Sequence, residues 1–95
     1  MSRPERPIDP LWPLANFASG LRALRQKRGY TYKDLADVAH YSRAALSTAA
    51  GGKRLPSWEL TRAYVLACGG PIAEWRARWC MERDLERDRN GTSHG

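Results

Sequence analysis

Ninety-five residues make one small domain, with room for a single core of about four or five helices and none for a second domain. Sixteen Lys and Arg against ten Asp and Glu leave a net charge of +6. Two cysteines, Cys68 and Cys80, are too few for a disulfide scaffold and lack a metal spacing, and no apolar run is long enough to cross a membrane.

Pro4, Pro7, Pro10 and Pro13 rule out regular helix over residues 1–13, so an arm is expected there, with Leu11 and Trp12 folding back on the domain. A first helix is predicted over 14–28. Phe17, Leu21 and Leu24 share one face of it, and Gly29 stands just past its end, where a left-handed cap is common.

Residues 31–56, TYKDLADVAHYSRAALSTAAGGKRLP, read as two short helices, a tight turn and a basic loop. Thr31 caps the first of the two, predicted over 32–39, and Asp34 stands where a capping box places an acceptor and where the helix dipole favours an anion. Leu35, Val38 and Ala39 are its inward face. The second, over 43–50, starts at the N-cap Ser42 and carries Leu46 and Ala49 or Ala50 at the spacing of a buried stripe. Only His40 and Tyr41 separate the two. So short a connection forces a steep crossing, the geometry of a DNA-binding helix-turn-helix, and Ala36 with Ala44 or Ala45 lets the axes approach.

A fourth helix over 58–68 is capped by Ser57, carries Leu60, Tyr64 and Ala67 or Cys68 inward, and ends at Gly69 and Gly70. Cys68, among Val65, Leu66 and Ala67, reads as a small core residue. Pro71 suits the first turn of a fifth helix over 71–88, with Ile72, Trp75 and Trp79 as its apolar stripe. Glu74 with Arg78, and Arg78 with Glu82, can pair on its exposed side. A disordered tail is expected over 89–95. No internal repeat or strand pattern appears.

Charge is uneven along this order. Between residues 16 and 70, nine basic residues face three acidic ones, whereas from residue 71 onward the charges balance at five against five. A polyanionic partner would select such a bias, and a basic, soluble surface explains part of it without any ligand.

Thr31, Leu35, Ala36, Ser42, Arg43, Leu46, Ser47, Gly52 and Pro56 fall in order, without a gap, on the pattern of helix-turn-helix domains of the phage-repressor and Cro type, the XRE type. The chain resembles that family over roughly residues 14–80. RLPSW, followed by AYVLACGG and WRARW, is similar to an actinobacterial variant, and an Arg- and Ala-rich, Lys-poor composition fits a GC-rich genome. Three positions depart from the pattern: His40 stands at the usual turn glycine, Tyr32 at the usual Gln, and Ala50 where Glu is common. The fold expected is an all-α, lambda-repressor-like bundle of five helices over 14–88.

By that resemblance the helix over 43–50 is the recognition helix, and Arg43, Ala44, Ser47 and Thr48 are its candidate base readers. Arg43 can fork onto guanine, Thr48 can reach a thymine methyl or make one hydrogen bond, and Ala44 can pack on a methyl. So sparse a reader leaves DNA shape and dimer spacing to supply more of the specificity. Tyr32, Lys33, Ser42, Lys53 and Arg54 are the candidate phosphate contacts. Arg3 and Arg6 either enter a minor groove or belong to a basic terminus without a role. Trp75, Trp79 and Met81 offer either a core plug or a homodimer surface.

Ser42, Ser47 and His40 do not make a hydrolase: no nucleophile elbow and no orienting carboxylate accompany them. No enzyme, cofactor or metal site is expected. The leading expectation is sequence-selective binding of duplex DNA, by a transcriptional regulator or a DNA-associated protein of a mobile element or replicon. The alternative is a protein-interaction module using the same fold, with a protein partner in a signalling or regulatory complex. Without a secretory signal or membrane span, a cytoplasmic, nucleoid-associated location is expected.

Overall fold

The computed structural model describes residues 6–91, which form α1 (Ala15–Arg28), α2 (Tyr32–Ala39), α3 (Arg43–Ala49), α4 (Trp58–Ala67) and α5 (Ile72–Gly91), with no strand among the described residues. Three of these helices start on a hydroxyl side chain. Thr31 Oγ1 accepts from the Asp34 N–H at 3.1 Å while the Asp34 carboxylate accepts from the Thr31 N–H at 3.0 Å, closing a full capping box on α2. Ser42 and Ser57 cap α3 and α4 by accepting from Ala45 N–H and Leu60 N–H, at 3.0 and 3.1 Å. Each cap satisfies a backbone donor that the first helical turn leaves without an acceptor, worth about 1 kcal/mol.

The core is one cluster drawn from every helix. Leu14, Phe17, Leu21, Leu35, Leu46, Tyr64 and Val65 are fully buried, each contributing about 1.5–3 kcal/mol by leaving water. α2 packs on α3 and α4, α5 runs along α4, and α1 closes the core. Burial also pushes the Tyr64 phenol far above its ordinary range, and it pushes the Cys68 thiol up against the opposing pull of Arg25 and Arg28.

Trp75 reaches deepest from α5. Its indole meets Phe17 edge-on, centroids 5.3 Å apart and planes at 74°. Gly20 allows this approach, because a Cβ there would lie 2.8 Å from Trp75 Cη2 and 2.8 Å from Arg78 Nη1. Arg78 lies over the Trp75 ring at 4.2 Å and donates to the Asn16 carbonyl at 3.3 Å, so it is spent between α5 and α1 rather than along α5.

Four expectations are corrected. Val38 is 47 % exposed, since Leu35 and Ala39 face the core with Tyr32 and Ala36 packed beside them, which puts Val38 at the edge of the stripe. Leu11 is 89 % exposed: the arm turns back through Trp12, not through both residues. Trp75 is 4 % exposed and Trp79 is half-buried against the core, so of the expected dimer surface only Met81 stands open. α5 continues past residue 88 to Gly91 because neither Pro nor Gly interrupts it earlier; residues 92–95 of the expected tail lie outside the described residues.

Candidate nucleic-acid interface

The turn between α2 and α3 bends on a single unusual residue. His40 has φ 62° and ψ 35°, a left-handed conformation for a side chain that is not glycine, and its N–H returns to the Ala36 carbonyl at 3.0 Å. That conformation costs an L-residue roughly 1–2 kcal/mol, which the packing of the two helices must offset. Leu35 and Ala39 of α2 join Leu46 of α3 and its C-cap Ala50 in the buried cluster.

With Leu46, Ala49 and Ala50 buried, the opposite side of α3 is set by helical geometry. Arg43, Ala44, Ser47 and Thr48 are all exposed there, one turn apart in pairs. Beside this row, Ala44, Ala45, Thr48 and Ala49 form one wall of an open groove of about 410 Å³, and Arg54, Leu55, Pro56 and Leu60 form the other. The groove is lined almost wholly by carbon, with Arg54 as its cation.

Lys33, Ser42, Lys53 and Arg54 are all exposed, but Tyr32 does not join them. Its ring packs against the core under the Arg25 guanidinium, 4.3 Å from the ring centre. An aromatic side chain at the first helical position gains more by burial there than a Gln would, which explains the inward turn. Asp34 has its carboxyl held below the usual range, chiefly by the Thr31 N–H and then by the Thr31 hydroxyl.

The loop after α3 is fastened from behind by the N-terminal arm, a feature the sequence pattern does not announce. Gly52 is buried at φ 93°, and a Cβ there would meet Ile8 Cγ2 at 3.1 Å and Trp12 Cε3 at 3.3 Å. The Leu14 N–H donates to the Gly52 carbonyl at 3.2 Å. Arg22 joins the same three segments: Nε donates to the Ala50 carbonyl at 2.8 Å and Nη1 donates to the Arg6 carbonyl. Lys53 then rests its ammonium over the Trp12 ring, 5.1 Å from its centre. Arg6 itself is exposed, and Arg3 lies outside the described residues.

Arg22, Trp12 and Ile8 therefore belong to the site although they touch none of the expected readers. The sequence around Arg22 carries no signal of this role, since its neighbours one turn away are Ala18, Ser19, Arg25 and Gln26, and a guanidinium there has no local carbonyl to announce. The carbonyls it found are 16 and 28 residues away along the chain.

Against known families, a model described as a helix-turn-helix domain matches residues 16–78. Comparison with curated proteins and with solved structures gives no significant match. The match starts in α1 and ends within α5, so it contains both walls of the groove and the α2–α3 turn.

Proposed function

Because the chain belongs to the helix-turn-helix domain family, we propose that it binds duplex DNA selectively by laying α3 in the major groove. The observation that carries this reading is the exposed row Arg43, Ala44, Ser47 and Thr48, with Arg54 on the facing wall of the groove and Lys33 and Lys53 exposed in the first turn of α2 and in the loop after α3. Arg43 at the start of α3 is the side chain suited to a guanine edge, and Ala44 and Thr48, which open onto the apolar groove, suit thymine methyls. Lys53 and Arg54 supply phosphate contacts. With Lys53 already resting on Trp12, less side-chain freedom is lost when it meets a phosphate.

The role is that of an XRE-type transcriptional regulator, or of a DNA-associated protein of a mobile element or replicon, of actinobacterial type. Four readers, three of them short, discriminate poorly alone, so two copies on half-sites about one helical turn apart supply the remaining selectivity. Met81 and Leu85, exposed and four residues apart, are large apolar positions of α5 open to a second copy.

Titration of duplex DNA at several salt concentrations tests the reading. Lys53→Ala and Arg54→Ala should each weaken binding to all sequences and lower the slope of log K against log salt by about 0.9. A chain that binds no duplex at low salt would remove this reading and favour the protein-interaction module.

A further inference from the structure

Pro56 joins the groove beside α3 to a second basic patch that the readers and the loop cations do not use. It lines the groove with Ala44 and Thr48, and its carbonyl accepts from Trp79 Nε1 at 2.8 Å. Trp79 in turn packs on Trp58, centroids 6.1 Å apart and planes tilted by 54°. Arg76 lies over both rings, its Cζ 4.9 Å from the centre of Trp58 and 5.4 Å from that of Trp79. Arg83 also covers Trp79, at 5.4 Å, but its Nη2 is held by Asp84 at 3.4 Å.

Arg76 differs from Arg83 in having no carboxylate partner among the described residues, and it is exposed. A guanidinium stacked on an indole uses its flat face and keeps its in-plane N–H groups for an acceptor. Its long side chain is already ordered, so less freedom is lost when that acceptor arrives. The acceptor that fits a forked donor, and that a duplex on α3 would present nearby in a repeating line, is a backbone phosphate.

We propose that Arg76, seated on Trp58 and Trp79, is a further phosphate contact, holding the duplex backbone outside the segment that α3 faces. The assignment rests on the DNA-binding reading above. It extends the interface from the helix-turn-helix across the start of α4 to α5. Trp58 and Trp79 are positioning residues in it: they aim the guanidinium and do not touch the DNA.

The test uses the full chain and two duplexes, the preferred site alone and the same site lengthened by about one helical turn on each side. Arg76→Gln should lower the salt slope on the longer duplex by about 0.9, which amounts to about a fivefold weaker complex at roughly 0.15 M salt. The gain that lengthening gives the wild type should disappear in the variant, while Arg76→Lys, which keeps the charge, should retain most of the slope. Ethylation of single phosphates, read with the wild-type chain, should interfere at flanking positions as well as beside α3. An unchanged slope in a folded Arg76→Gln, or interference confined to the segment beside α3, would overturn the contact alone. A wild-type chain that binds no duplex at low salt would overturn the DNA-binding reading and this contact with it.

Discussion

Gly52→Ala probes the coupling between the arm and the loop behind α3. A Cβ at this position lies 3.1 Å from Ile8 Cγ2, 3.3 Å from Trp12 Cε3 and 3.6 Å from Ala18 Cβ, on a backbone with φ of +93°. The left-handed backbone costs an alanine about 1–2 kcal/mol. The Ile8 methyl can turn aside, but the indole edge is rigid and packed, which adds about 1 kcal/mol of overpacking. Against these stands about 0.4–1 kcal/mol regained because alanine has less freedom to lose on folding. The net expectation is a loss of about 2 kcal/mol, or a midpoint lower by about 8–16 °C for a domain of this size.

Thermal unfolding followed by circular dichroism measures that shift. Trp12→Ala in the same background separates the two contributions, because removing the indole edge should relieve the steric part and leave the backbone part untouched. A Gly52→Ala midpoint within about 2 °C of wild type would refute the reasoning, since the φ contribution alone exceeds that margin. Strict additivity with Trp12→Ala would refute the arm contact while sparing the backbone argument. The same variant bears on the interface: Lys53 follows Gly52 directly and rests on Trp12, so a displaced arm should weaken DNA binding without changing sequence preference.

Three further outcomes are expected. Arg43→Ala should cost about 1–3 kcal/mol on the preferred site and much less on unrelated DNA; equal losses in a competition titration would reassign Arg43 to the backbone. Trp79→Ala removes a half-buried indole and its bond to Pro56, and should destabilise the domain by about 3–5 kcal/mol in denaturant unfolding, whereas a wild-type midpoint with only altered sedimentation would return Trp79 to a surface role. Asp34 has a depressed carboxyl, so its contribution is present above the unfolded value of about 3.9 and lost as pH falls through the lower folded value; Asp34→Asn should flatten the acid limb of stability measured across that range, and an unchanged limb would count against the capping box.

Much of the helix framework was legible because its determinants act within three or four residues. The Thr31 and Asp34 pair, the Ser42 and Ser57 caps, and the forced left-handed turn at His40 all close hydrogen bonds over that span. The exposed row on α3 follows from the same short period: once Leu46, Ala49 and Ala50 are assigned inward, Arg43, Ala44, Ser47 and Thr48 have one side left.

Tertiary contact decided the rest, because a residue's partner far along the chain leaves no trace in its own neighbourhood. Trp75 and Trp79 read on a helical wheel as a core plug first and a dimer surface second, and the distinction came from Gly20 admitting one indole against α1 and the Pro56 carbonyl capturing the other. Leu11 and Trp12 are adjacent and both apolar, yet only the tryptophan found a loop to lie on. Arg22 and Arg76 look alike in sequence as cations on helices. Folding gives Arg22 two distant carbonyls and Arg76 two indole faces, which makes the first a fastener of the candidate site and leaves the second exposed.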